Sequence, residues 1–152
     1  MQSKHRYTDS EATLKDLRIH HFFEQRVVVS PDSIALKHNH ESLTYSQVDE
    51  KATRLAVHLL EKFPDESIIA INAERSINTI IGVLAIAKAN KTYLPLDSNL
   101  PVERLKIIIE NACITACLCE DVAASIYKAL DLIVVPFDAE STNTEISFEE
   151  KK

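Results

Sequence analysis

The stretch Ser76-Ile77-Asn78-Thr79-Ile80-Ile81-Gly82-Val83-Leu84-Ala85-Ile86-Ala87-Lys88-Ala89-Asn90-Lys91-Thr92-Tyr93-Leu94-Pro95-Leu96-Asp97 carries the fold reading. Ile77, Ile80, Ile81, Leu84 and Ala85 fall at the spacing that turns one helix face toward a core. The pattern stops at Asn90, the residue type that most often replaces glycine in the left-handed position after a helix. Thr92 to Leu94 then reads as a short strand, closed by a Pro95-Leu96-Asp97 turn. With the apolar run Ile68-Ile69-Ala70-Ile71 ahead of it, this is strand, helix, strand: one βαβ unit.

The same alternation extends in both directions. Upstream, Leu14 to Val29 has a helical stripe at Leu14, Leu17, Phe22, Phe23 and Val27, ended by Ser30-Pro31-Asp32-Ser33. Ile34 to His38 reads as a strand, Asn39 to Ser42 as a turn, and Leu43-Thr44 as the return arm of a hairpin. Thr44 and Gln47 form a capping-box pair ahead of Val48, Ala52, Leu55, Ala56, Leu59 and Leu60, and Phe63-Pro64-Asp65 terminates that helix. Downstream, Pro101 takes the favoured first position of a helix lined by Leu105, Ile108, Ile109 and Ala112. Ile114 to Cys119 is a strand, Asp121 to Leu130 a helix, and Leu132 to Val135 a last strand. Such a series predicts an α/β fold, a mainly parallel sheet flanked by helices.

Composition narrows the function. The apolar share of 45% and charged share of 26% are those of a globular chain. The net charge of −6 argues against nucleic acid, whose binding needs a basic face. Asp138, Glu140, Glu145, Glu149 and Glu150 outweigh Lys151 and Lys152, so residues 138–152 read as a polar acidic tail after a domain at 1–137. No run approaches the ~20 apolar residues of a membrane span. The polar start at Met1 to Ser10 is unlike a secretory leader, which gives a cytoplasmic expectation. There is one glycine, Gly82, where average usage supplies roughly ten. A loop bringing several backbone N–H groups onto a phosphate needs clustered glycines, so none is expected here.

From about Ile19 to Cys119 the chain resembles the adenylation domains of nonribosomal peptide synthetases, members of the adenylate-forming (AMP-dependent synthetase/ligase) superfamily. The resemblance rests on five stretches in register: His20-His21-Phe22-Phe23-Glu24 with Ser30 to Leu36, then Leu43-Thr44-Tyr45-Ser46-Gln47-Val48, then Glu74-Arg75-Ser76, then Ala87 to Asp97, then Leu100-Pro101-Val102-Glu103-Arg104-Leu105. The Tyr93-Leu94-Pro95-Leu96-Asp97 ending favours the peptide-synthetase branch over the acyl-CoA ligase and luciferase branches. The family commonly has glycine where this chain has Asn90, and often a small residue at Lys91. The resemblance implies the first subdomain of the large N-terminal region of an adenylate-forming enzyme. For the complete enzyme it implies ATP, magnesium, amino-acid activation in secondary metabolite biosynthesis, and a carrier protein bearing phosphopantetheine. The family's phosphate loop, substrate pocket and catalytic lysine lie beyond the matched motifs. No catalytic, cofactor-binding or metal-binding residue is therefore carried over. The chain is expected to be inactive alone, a truncated domain whose partner is the remainder of an adenylation domain. Half of a split enzyme and a non-catalytic binding module are the alternatives.

Other candidates have simpler readings. Cys113, Cys117 and Cys119 lack the paired spacing of a zinc site and are expected as buried reduced thiols, with Cys117 and Cys119 on one strand face. His20-His21 and the pair His38 and His40 have no accompanying acid cluster. Arg75, Lys88 and Arg104 are expected in partly buried ion pairs, and Tyr45, Phe63 and Tyr93 in packing.

Overall fold

The computed structural model describes residues 18–139. Leu14 and Leu17, and most of the acidic tail, lie outside the described residues. The elements are α1 (Ile19–Val29), β1 (Ile34–His38), β2 (Glu41–Thr44), α2 (Tyr45–Lys62), β3 (Ile68–Asn72) and α3 (Ile77–Lys88). They continue with β4 (Thr92–Leu96), α4 (Val102–Ala112), β5 (Ala116–Leu118), α5 (Asp121–Ala129) and β6 (Ile133–Val135).

β1 and β2 pair antiparallel as a hairpin. The other four strands form a parallel sheet in the order β4-β3-β5-β6. This is the α/β architecture read from the alternation. The period of two then sorts side chains to the two faces. Ile69, Ile71, Ala116 and Leu118 join a core with Val48, Leu55 and Leu59 of α2 and Ile81 and Ala85 of α3. Ala70, Cys117 and Cys119 join the opposite core with Leu105 and Ile109 of α4 and Ala123 and Tyr127 of α5.

Local chemistry fixes the element ends. Thr44 Oγ1 accepts from the Gln47 N–H at 3.2 Å, and Gln47 Oε1 accepts from the Thr44 N–H at 2.9 Å, the reciprocal cap expected for α2. Ser76 Oγ accepts from the Thr79 N–H at 3.2 Å to start α3. Asn90 ends that segment with φ 59°, the left-handed conformation anticipated for it.

Several expectations are corrected. Ile80 is exposed, because α3 packs on both α2 and β3 and its buried stripe widens toward Gly82 and Ile86 instead. β4 runs through Pro95 to Leu96 rather than turning there. β4 is an edge strand paired only with β3, so a residue without an N–H can be tolerated. Tyr93, on that edge, is exposed rather than packed. The hairpin turn is only Asn39-His40, with β2 already begun at Glu41.

Gly82 serves packing. A Cβ there would stand 2.7 Å from Ile71 Cδ1 and 2.7 Å from Phe137 Cε1, so the bare helix surface admits the sheet on one side and the Phe137 ring on the other.

Candidate functional site

The carboxyl ends of β5 and β6, with the starts of α3 and α5, border a cleft of about 410 Å³. Such an end of a parallel sheet is where open α/β folds present ligands. Lys51 and Arg54 of α2 form one wall, Glu120 and Asp121 at the start of α5 another, and Ile81 and Phe137 supply apolar surface. Asn78 Nδ2 donates to Glu120 Oε1 at 2.9 Å, tying α3 to α5 across the sheet end.

Beside it, a polar chain is buried where β3 meets α5. The Tyr127 hydroxyl donates to Asn72 Oδ1 at 2.6 Å, and Asn72 Nδ2 donates to Glu74 Oε1 at 2.8 Å. Tyr127 is fully buried, and burial, followed by the nearby Cys117 and Cys119, raises its hydroxyl pKa, so it stays a neutral donor. Both polar groups of the Asn72 side chain are thus engaged, one joining β3 to α5 and the other held two residues along the chain. Sequence reasoning missed this pair. The sequence gives Tyr127 only a place within the helix read from Asp121 to Leu130, and nothing in it singles out Asn72.

Cys117 and Cys119 lie on one face of the sheet, as the strand period requires. Cys119 shares a hydrogen bond with Cys117, which lowers the pKa of Cys119 and, together with burial, raises that of Cys117. Cys113 departs from expectation. It is exposed, because it takes the left-handed position (φ 52°) that closes α4. Among the described residues, no group of three or more His, Cys, Asp and Glu side chains could hold a metal ion.

The expected ion pair is present at Lys88. Its Nζ lies 2.7 Å from Glu24 Oε1 and 2.7 Å from Asp49 Oδ1, so one buried ammonium joins α1, α2 and α3. Arg75 and Arg104 are exposed instead. His20 is buried on the inner side of α1 with its Nδ1 unpartnered, while His40 is exposed in the hairpin turn. Phe63 packs in the core at the end of α2, and the Tyr45 ring sits 5.6 Å from that of Phe23 with Arg26 over it. Lys91 was read only as a departure from a small residue. Its side chain is buried, and its Nζ donates to the carbonyl oxygens of Phe63 and Glu66 at 2.6 Å each, capping the carboxyl end of α2.

The profile of the AMP-binding enzyme family matches residues 23–152. The chain belongs to that family. Polyketide synthase PksN of Bacillus subtilis (strain 168) is 43% identical over 98 residues, 64% of this chain and 2% of that protein. Tyrocidine synthase 3 of Brevibacillus parabrevis is 42% identical over 99 residues, again 64% of this chain and 2% of that one. The chain thus spans a small part of the length of these curated relatives. Among solved structures, the N-terminal subdomain of Klebsiella oxytoca NpsA superposes with a TM-score of 0.62 at 23% identity, covering 72% of this chain and 32% of that one. The nonribosomal peptide synthetase FmoA3 superposes with a TM-score of 0.71 at 22% identity, covering 82% and 14%. Within the AMP-binding family, the described residues form the N-terminal part of an adenylation domain.

The AMP-binding family implies ATP and magnesium for its complete enzymes. In this cleft Gly82 is closed under Ile71 and Phe137 instead of opening a backbone cradle, and Lys51 and Arg54 on one wall face Glu120 and Asp121 on the other, so both signs of charge border it. No helix among the described residues is long and apolar enough to cross a membrane.

Proposed function

We propose that this chain supplies the N-terminal scaffold of an amino-acid-activating adenylation domain of nonribosomal peptide synthesis. In the complete enzyme, ATP and a carboxylate give an acyl-adenylate and pyrophosphate, and the acyl group passes to the phosphopantetheine thiol of a carrier protein. The observation that carries the reading is the family match across 23–152, on a fold that superposes on the N-terminal subdomain of NpsA with a TM-score of 0.62. The scaffold's role is positional. Lys88 and Lys91 fasten α1, α2 and the turn into β4, and Asn72 with Tyr127 fastens α5 to β3. Alone, residues 1–152 are inactive in this reading, because clamping the phosphates takes a cradle of backbone N–H groups, and Gly82, which could open one, is packed under Ile71 and Phe137. The edge strand β6, with Ile133 exposed, offers the place where the remainder of the domain, in cis or as a second polypeptide, continues the sheet.

Pyrophosphate release with the twenty common amino acids tests the proposal. No turnover is expected from the chain alone, and amino-acid-dependent turnover is expected once the remainder of an adenylation domain is supplied. Turnover by the chain alone refutes the scaffold role. Micromolar binding of Mg-ATP to the chain alone, by isothermal titration, instead favours the binding-module alternative.

A further inference from the structure

We propose that α1 is an acid-released arm: a neutral His20 seats it on α2 and α3, and a proton on His20 lifts it away while the parallel sheet stays folded. The first support is what α1 buries. Ile19, Phe22, Val28 and Val29 are exposed, and the one fully buried side chain of the helix is His20. Phe23 is half-buried against the α2–α3 core, with its ring beside that of Tyr45. A helix seated mainly on an imidazole loses its seat when that group takes a charge, since an unpaired buried charge costs far more than a neutral ring. The Nδ1 of His20 is buried without a partner, so no acceptor stands ready at that atom for an added proton.

The second support is the charge around His20, which comes from three helices. On α1, His21 and Arg18 oppose a positive charge there and Glu24 favours it, with the His21 ring 4.2 Å from that of His20. Lys88 of α3 opposes it as well. Asp49 of α2 and Glu24 each lie 2.7 Å from Lys88 Nζ, so both carboxylates are already shared with an ammonium. Burial is the leading cause that holds His20 below its ordinary 6.5, so the proton binds the released arm more tightly than the seated one. Docking is therefore at full strength above pH 6.5 and is lost as pH falls from there toward the folded value. What remains is complete without the arm. When Glu24 leaves, Lys88 keeps Asp49, and the buried residues of the α2–α3 core come from β2, α2, β3, α3, β5, β6 and the ends of α2 and α3, none from α1.

The test is hydrogen exchange by mass spectrometry on the full chain at pH 7.5 and pH 5.5, one unit either side of 6.5, with each rate divided by the intrinsic rate at that pH. Protection over 19–29 is expected to fall about tenfold, the limit set by one excluded proton, while β3 and β5 keep theirs. His20→Gln, which cannot take the charge, should keep α1 protected at both values. If that variant does not fold, the ring signals of His20 in NMR spectra of the wild-type chain replace it, and they are expected to titrate with the same midpoint as the loss of α1 protection. Protection of α1 that stays constant on acidification overturns the proposal. So does protection that rises, because Glu24 or Asp49 then captures the imidazolium. An equal fall in β3 and β5 overturns it by assigning the change to global unfolding, and an equal fall in His20→Gln, or a different midpoint for the His20 ring, overturns it by removing His20 as the cause.

Discussion

Replacing Lys91 with methionine keeps the length and most of the volume of the side chain while removing the donor. In the native protein Lys91 Nζ serves the carbonyls of Phe63 and Glu66 at 2.6 Å, with the residue only 9% exposed. Phe63 is the cap of α2, so the ammonium also meets the negative end of that helix. In Lys91→Met the Phe63 carbonyl keeps the Glu66 N–H at 3.3 Å, and the Glu66 carbonyl loses the lysine. A buried acceptor left without a donor costs about 1–3 kcal/mol, and the weakened helix end adds to this. Part is returned because methionine carries no charge to desolvate, leaving a net of about 2 kcal/mol. That is about a thirtyfold shift of the folding equilibrium, or roughly 6–8 °C in Tm for a chain of this size.

Urea unfolding followed by circular dichroism reads the difference directly. A variant as stable as wild type, within about 0.5 kcal/mol, refutes the bridge as a stabilising contact. The pH dependence gives an independent check. Burial, its leading cause, lowers the Lys91 pKa, although Glu66 and Asp65 oppose it. The unfolded chain therefore holds the proton more tightly, and this group's contribution rises as pH increases through the interval between the folded and unfolded values. The neutral amine keeps two N–H groups for the two carbonyls. The gap between wild type and Lys91→Met should accordingly widen toward pH 10, and a gap that narrows contradicts the assigned geometry.

Asn90→Gly should be neutral or stabilise by a few tenths of a kcal/mol, and Asn90→Ala should destabilise by about 1–2 kcal/mol, since φ there is 59°; equal urea midpoints for all three remove the argument. Gly82→Ala gains about 1 kcal/mol of helix propensity but forces Ile71 and Phe137 from contacts of 2.7 Å, a cost of about 1–3 kcal/mol, so net loss and faster hydrogen exchange at 137–139 are expected. His20 has a pKa lowered mainly by burial, then by His21, with Lys88 and Arg18 acting the same way and Glu24 opposing. Protonation thus favours the unfolded chain, and wild-type stability should fall as pH drops below 6.5, more steeply than in His20→Gln; parallel pH profiles contradict this. A thiol-reactive dye should modify one cysteine quickly, Cys113, and the buried Cys117 and Cys119 only at the rate of opening, so three equal rates would refute the burial.

The fold was legible wherever local patterns agreed with long-range packing. Thr44 and Gln47 announce α2, Asn90 announces its left-handed turn, and the alternation of Cys117, Leu118 and Cys119 sorts β5 onto two faces, all from neighbouring residues. Legibility failed where meaning depends on a partner distant in sequence. Tyr127 and Asn72 meet across 55 positions, and Lys91 reaches Phe63 across 28, so no periodicity reports either bond. Lys88 was foreseeable as an ion pair from its motif, but its acids, Glu24 and Asp49, come from two other helices. Ile80 failed for a related reason: a helix held against both a sheet and another helix buries a stripe wider than one face, and its centre cannot be read from that helix alone.

The residues at the corners show how this scaffold closes its turns. Among the described residues, positive φ falls at Asn39, Asn90, Cys113 and Asp131, and never at glycine. Asn and Asp tolerate that conformation through their short polar side chains, so the turns close without glycine. The same substitution does not serve a phosphate. A cradle needs several successive N–H groups unshielded by side chains, and each Asn or Asp there would put an acceptor oxygen near the anion. The one residue lacking a Cβ, Gly82, is spent on bringing α3 against Ile71 and Phe137. A chain built this way holds a parallel sheet and its flanking helices in register with no glycine at any described left-handed turn.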